Sequence, residues 1–130
     1  MDIISILRQK DCFASLSGVD ESTIKTAEDK LGLVFCSDYR QYVSEFGAVS
    51  YYGHELTGVT NAPALDVVRV TEAERDFAEN VPHEWYVIER LNIDGVSIWQ
   101  DSKTGRIFKT SPNAAPVKIC ESLLKYIALD

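Results

Sequence analysis

The ionisable side chains of this chain could bind a metal or carry out acid–base chemistry only if they were grouped at short spacings. His54 and His83 are its two histidines, and each is followed directly by a glutamate. Metal sites need clustered His, Cys, Asp or Glu ligands, and neighbours along a strand point to opposite faces of a sheet. The sequence contains no HExxH motif. These spacings argue against a metal site, and we expect no cofactor.

The sequence also lacks the motifs that are typical of a catalytic nucleophile. The three cysteines, Cys12, Cys36 and Cys120, lie far apart without a CxxC pair, which is typical of reduced, partly buried thiols. There is no GxSxG elbow, and the glycines form neither GxGxxG nor GxxxxGK[ST]. Glu28 is expected to make a local structural contact or to face solvent. We therefore expect a protein that is not an enzyme; a small hydrolase with an unrecognised site is the rival interpretation.

Acidic residues are concentrated in one stretch of the chain. The whole sequence has 13 basic and 20 acidic residues, a net charge of −7. Residues 71–94 hold seven of the acids and two arginines, which is a local charge of −5. Such a run is either a solvated face or a surface that meets a basic partner, and Glu72, Asp76 and Glu79 are the candidate contacts. The same charge disfavours general binding to nucleic acid or to anionic membranes.

A second candidate contact surface contains Tyr51, Tyr52 and Glu55. Tyrosine is favoured at protein interfaces because it combines a large apolar area with one hydrogen-bonding tip. In an alternating strand one of the two tyrosines faces the core, so at most one is an exposed anchor. Trp85 and Trp99 are expected in the core.

The elements that position these residues follow from apolar periodicity and capping signals. Helices are predicted over residues 2–10, 21–31, 38–46, 72–80 and 121–128. Asp20 can cap the second helix, and Gly32 and Gly47 are expected to end the second and third with positive φ angles. Thr71–Glu74 resembles a capping box that opens the fourth helix, after a strand or extended segment at residues 66–70.

The region between residues 49 and 110 differs in composition from the helical segments. It is rich in β-branched and aromatic residues, and turn signals lie at Asp94–Gly95 and Lys103–Gly105. Closely spaced turns between apolar runs predict an antiparallel meander, to which residues 117–120 can add an edge strand. The expected fold class is α+β, as a single domain over residues 1–130, since no linker or repeat interrupts the chain. No apolar run is long enough to cross a bilayer and no secretory leader is evident, so a cytoplasmic location is expected.

The order of these elements resembles the SUKH superfamily, which includes the yeast cell-wall-assembly regulator and many bacterial immunity proteins. The similarity covers about residues 20–128. The segments that carry it are Ile24–Gly32, Asp38–Arg40, Glu45–Gly47, Glu55–Gly58, Arg75 through Pro82 to Ile88, Asp101–Phe108 and Ser122–Ile127. Two positions depart from the family pattern: Cys36 stands where a proline is usual, and Ala48 replaces the second glycine after the third helix.

The resemblance implies helices packed against one curved, mostly antiparallel sheet, and it implies no chemistry. Bacterial members bind and block polymorphic toxins, often nucleases. The expected function is therefore that of a non-enzymatic immunity protein whose partner is a basic toxin, possibly a nuclease. The alternative is a regulatory or scaffolding module that binds a cellular client. The toxin's identity and the oligomeric state stay open.

Overall fold

The computed structural model of the protein describes residues 2–78, 80–91 and 93–129. The helices in this part of the chain are α1 (Ile3–Arg8), α2 (Glu21–Leu31), α3 (Ser37–Phe46), α4 (Val67–Arg75) and α5 (Leu123–Ala128). The strands are β1 (Ala14–Ser15), β2 (Val49–Tyr51), β3 (His54–Glu55), β4 (Trp85–Arg90), β5 (Ser97–Asp101), β6 (Ile107–Thr110) and β7 (Val117–Cys120).

Helix α2 forms where its capping signals predict it. The side chain of Asp20 accepts a hydrogen bond from Thr23 N at 2.9 Å, which satisfies one of the free N–H groups of the first turn. Ile24 and Leu31 are buried on the inner face, and Gly32 ends the helix in the left-handed conformation with φ 71°. The predicted helix and its stop are both confirmed.

Helix α3 supplies the aromatic centre of the core. Tyr39, Tyr42 and Phe46 are buried at the spacing of one helical face, and Gly47 follows with φ 70°. The hydroxyl of Tyr42 donates to the carbonyl of Thr57 at 2.6 Å, so the polar tip of this buried ring is satisfied. The positive φ predicted for Gly47 is confirmed.

The strands form two antiparallel sheets. One has the order β1-β2-β3, and the other is the meander β4-β5-β6-β7. An antiparallel bridge between Leu56 and Glu89, with a hydrogen bond from Thr57 N to the Ile88 carbonyl at 2.9 Å, connects the two sheets. The α+β class is confirmed, and the sheet implied by the resemblance is divided into these two parts.

The four-stranded sheet has apolar side chains on both faces. Its inner face, which includes Tyr86 and Ile98, joins the main core with the helices. Its outer face carries Trp85, Trp99 and Phe108, which form a second cluster with the end of α4 and the chain that follows it. Both tryptophans are buried, as predicted.

The prediction for the start of α4 is wrong. The helix begins at Val67, where an extended segment was expected, and ends at Arg75 rather than near residue 80. Thr71 therefore lies inside the helix, fully buried, and its hydroxyl accepts a hydrogen bond from Val87 N at 3.0 Å. The Thr71–Glu74 pair is not a capping box.

Packing explains this difference. Val67, Val68 and Val70 suggest a strand by their side-chain type, but all three are buried as α4 packs against α2 and β4. The free energy gained by burying these side chains exceeds the small preference of valine for strands. Asp66 precedes the helix in an extended conformation without a side-chain capping bond.

Candidate partner-binding surface

The two tyrosines of the second candidate surface have opposite environments. Tyr51 is 3% exposed and Tyr52 is 76% exposed. Gly53, with φ 79°, forms the tight turn between β2 and β3 that places Tyr52 at the tip of this hairpin. Glu55 is exposed on β3. The exposed part of this surface therefore consists of Tyr52 and Glu55, while Tyr51 supports it from inside.

Tyr51 contacts a polar network around the buried acid Glu89, which we call the Glu89 cluster. It consists of Glu89, Tyr126, His54 and the backbone N–H of Glu55. The ring of His54 stacks on Tyr51 with centroids 4.9 Å apart. The carboxylate of Glu89 accepts a hydrogen bond from the Tyr126 hydroxyl at 2.6 Å and from Glu55 N at 3.3 Å. His54 Nδ1 lies 3.0 Å from the same carboxylate. These contacts join β3, β4 and α5 through one buried acid.

Glu89 shows that part of the charge of the acidic stretch lies inside the protein. It is 2% exposed, although it contributes to the charge of residues 71–94. Glu74 is half-buried, with Oε1 3.7 Å from Arg90 Nη1. The acidic stretch is thus not one solvated face, because part of its charge is internal. No sequence pattern predicts this network, because neither strand alternation nor the acidic run indicates that Tyr126, His54 and Glu55 meet Glu89.

Glu72 and Asp76 are the candidate contacts that the structure places on the surface. Both are exposed, Glu72 on α4 and Asp76 at its C-cap, and they lie four residues apart on one side of the helix. Glu79, the third candidate, lies outside the described residues. The acidic candidates and the Tyr52–Glu55 pair are on different elements, the end of α4 and the tip of the β2–β3 hairpin.

The chain that follows α4 is held in place by Arg75. Its guanidinium donates to the carbonyl of His83 at 2.7 Å and to that of Leu31, the last residue of α2, at 3.3 Å. Burial of this side chain lowers the pKa of Arg75. The contacts position the polypeptide that passes over the outer face of the four-stranded sheet.

Beside this polypeptide lies an open cavity of about 460 Å³, which we call the Phe77 groove. It runs between residues 77, 78, 80 and 81 on one side and residues 110–116 on the other. Phe77 is 83% exposed, an unusual position for a large aromatic side chain. A second cavity of about 370 Å³ shares Phe77 with the groove and is also lined by Glu74. No sequence pattern predicted an exposed aromatic side chain at Phe77.

Glu28 has the structural role predicted for it. It is 3% exposed, and its Oε2 accepts a hydrogen bond from Phe35 N at 2.8 Å. Arg40 Nε lies 3.7 Å from the same oxygen, and Arg40 also pairs with Glu21. The carboxylate fixes the turn between α2 and α3.

Three buried tyrosines and two half-buried cysteines have pKa values raised by their surroundings. Burial raises the pKa of Tyr39, of Tyr42 and of Tyr86. It also raises the pKa of Cys36 and of Cys120, which lowers their thiolate fraction at neutral pH. Among the residues that the structure describes, no group of three or more His, Cys, Asp or Glu is arranged to hold a metal.

The chain matches the SUKH_5 family model, described as SMI1-KNR4 cell-wall, over residues 1–111. The protein belongs to this family, as the motifs along its sequence indicated. The match extends from α1 through β6, so β7 and α5 follow it. None of the curated proteins compared with the chain matches it. No helix within the described ranges has the length and apolar character to span a membrane.

Proposed function

We propose that this protein is a non-enzymatic immunity protein that acts in the cytoplasm by binding a cognate toxin of the nuclease type. Membership of the SUKH family supports the proposal, since many bacterial proteins of this superfamily are immunity proteins. The chain's net charge of −7 fits a basic partner.

One structural observation carries the proposal. Glu72 and Asp76 present exposed carboxylates on one side of α4, and Phe77, the residue after Asp76, is exposed as well. A nuclease holds phosphate with lysine and arginine side chains, so carboxylates can occupy the positions of the phosphates. Charges arranged in this way raise the rate of association and orient the encounter.

Co-expression tests the function directly. The product of the gene adjacent to this chain's own gene is produced in a bacterial host, with and without the chain. We expect the neighbour to arrest growth and the chain to restore it through a stable complex. A neighbour that is toxic but neither binds the chain nor is neutralised by it would refute the proposal.

Charge reversal tests the surface. The double variant Glu72→Lys, Asp76→Lys should associate with the toxin about tenfold more slowly at low salt. Adding Glu79→Lys should slow it further. The association rate of the unmodified protein should fall as salt rises, because a Debye length of about 10 Å at 0.1 M screens exposed charges. Glu74 is left unchanged, because its side chain is half-buried 3.7 Å from Arg90, and a lysine there would place two cations together away from the screening of water.

The matched control is Asp29→Lys, Glu45→Lys, which changes the net charge equally on other helices. Each control residue loses one exposed ion pair, with Lys25 or Arg8, which contributes about 0–1 kcal/mol. An interaction through the end of α4 requires the first variant to be much slower than the control. Equal rates for the two variants would mean that Glu72 and Asp76 are a solvated face, and the Tyr52–Glu55 surface would become the candidate interface.

The description of the matching family as cell-wall favours one second candidate, a regulatory or scaffolding module that binds a cellular client. The two functions differ in their genetic setting. A neighbouring gene that encodes a large polymorphic toxin supports immunity. A client that binds the chain at native abundance, with no toxic neighbour, supports the scaffold.

A further inference from the structure

We propose that the Phe77 groove receives an apolar side chain from a basic segment of the partner protein. The identity of that partner as a toxin rests on the proposed function above, but the chemistry of the groove does not. The proposal follows from the lining of the groove, from the ordered aromatic cluster against which that lining packs, and from the acidic residues near the end of α4.

The described residues that line the groove are uncharged, and they combine apolar side chains with polar groups, among them Asn80, Ser111 and Asn113. Phe77, Ala78 and Val81 form one wall, and Pro112, Ala114 and Pro116 contribute to the other. Its volume of about 460 Å³ falls within the range of sites that hold small ligands or single side chains. An aromatic ring that is 83% exposed at such a cavity gains a large area of apolar contact when a partner covers it.

The lining residues Ala78 and Val81 pack against an ordered aromatic cluster on the outer face of the four-stranded sheet. Trp85 and Phe108 stack with centroids 4.1 Å apart and planes inclined by 15°. Trp99 is fully buried beside them, and its Nε1 donates to Thr110 Oγ1 at 2.8 Å. Thr110 is both the last residue of β6 and part of the lining. Because these side chains are already ordered by the core, a ligand does not have to order them on binding.

The charges near the groove select a basic segment. Glu72 and Asp76 are exposed just before Phe77, and Glu74 lines the adjoining cavity of about 370 Å³. Arg90 Nη1 lies 3.7 Å from the carboxylate of Glu74. Among the described residues, Glu72 and Asp76 form no ion pair within 4 Å, although Glu72 interacts electrostatically with Arg75. Exposed negative charge therefore precedes Phe77 on the chain, which complements lysine or arginine flanking an apolar residue.

The first experiment uses the adjacent-gene product and the variant Phe77→Ser. We expect about a tenfold or greater loss of affinity, seen as faster dissociation, with the salt dependence of association unchanged. The control is Val34→Ser, which removes an apolar side chain that is 66% exposed on the turn after α2. Equal dissociation rates for the two variants would overturn the proposal. Urea unfolding curves that coincide with that of the unmodified protein show that both variants are folded.

A second experiment does not depend on the toxin. A short synthetic peptide with lysines flanking a central Leu-Phe pair is titrated into the isotopically labelled full chain. Two matched peptides replace either Leu-Phe by Ser-Ser or the lysines by glutamates. We expect amide shifts at Ala78, Thr110 and Ala114 with the first peptide, about tenfold weaker binding of the other two, and loss of the shifts in Phe77→Ser.

The two experiments separate the two proposals. If the adjacent-gene product does not bind the unmodified chain but the peptide binds as described, immunity fails and the groove assignment stands. If the toxin binds and neither Phe77→Ser nor the peptides discriminate, immunity stands and the groove assignment fails. Equal binding of the basic and acidic peptides would refute the preference for a basic segment. Equal binding of the Leu-Phe and Ser-Ser peptides would refute the role of an apolar side chain.

Discussion

Removing the hydroxyl of Tyr126 should destabilise the protein more than the loss of one oxygen atom from a surface would. In the Glu89 cluster this hydroxyl donates to a carboxylate that is 2% exposed, at 2.6 Å. A hydrogen bond to a charged group contributes about 1.5–3 kcal/mol, and no bulk water can replace the lost donor. Tyr126→Phe should therefore lower the free energy of unfolding by about 2 kcal/mol. With the urea dependence usual for a chain of this size, the midpoint falls by about 1 M.

A double-mutant cycle tests the physical cause. Glu89→Gln replaces one acceptor oxygen by a donor, which must then face the Tyr126 hydroxyl, His54 Nδ1 or Glu55 N. If Tyr126 acts through the carboxylate, the two single effects should not add, and the coupling should be about 1 kcal/mol or more. Free energies from urea unfolding, followed by tryptophan fluorescence, provide the four values of the cycle.

The control is Tyr52→Phe, which removes a hydroxyl from a ring that is 76% exposed and should change stability by less than about 0.5 kcal/mol. The reasoning fails if Tyr126→Phe is as mild as this control. It also fails if the effects of Tyr126→Phe and Glu89→Gln are additive, because the hydroxyl would then contribute independently of the acid.

Two further predictions concern single positions. Thr71→Val should destabilise the protein by about 1–3 kcal/mol, because the Val87 N–H loses its buried acceptor. Thr71→Ser keeps the acceptor and should destabilise the protein less. Thermal unfolding of the two variants compares them directly. Gly32→Ala should lower the free energy of unfolding by about 1 kcal/mol, because Gly32 has a positive φ. Gly47→Ala should lower it by clearly more, because the added Cβ would also lie 2.3 Å from a backbone oxygen of Ser17. Equal stabilities within either pair would contradict these assignments.

Local signals predicted the elements whose ends are set by their own residues. Helix α2 has Asp20 before it and Gly32 after it, and both act as expected. The turn at Asp94–Gly95 forms with positive φ at both residues, which joins β4 to β5 as the sequence indicated. In these places the capping or turn residue decides the backbone conformation without help from distant parts of the chain.

The failures occur where distant contacts decide the outcome. Thr71 has the sequence context of a capping residue, but its hydroxyl serves Val87, sixteen residues further along, from inside a helix. Glu89 belongs by sequence to an acidic run, but Tyr126, thirty-seven residues away, holds it in the core. The exposure of Phe77 depends on where β6 and the chain after it pass. No periodic pattern in the sequence predicts any of these contacts.

The placement of α5 has a consequence for how the protein folds during synthesis. Leu123 and Ile127 fill the main core, and Lys10 Nζ donates to the Ile127 carbonyl at 2.7 Å, which joins the first and last helices. A nascent chain that has reached residue 111 holds α1 to α4 and six strands but lacks the side chains that cover α1 and α3. We expect its apolar surface to stay exposed until α5 has been made, so pausing before residue 123 should promote aggregation.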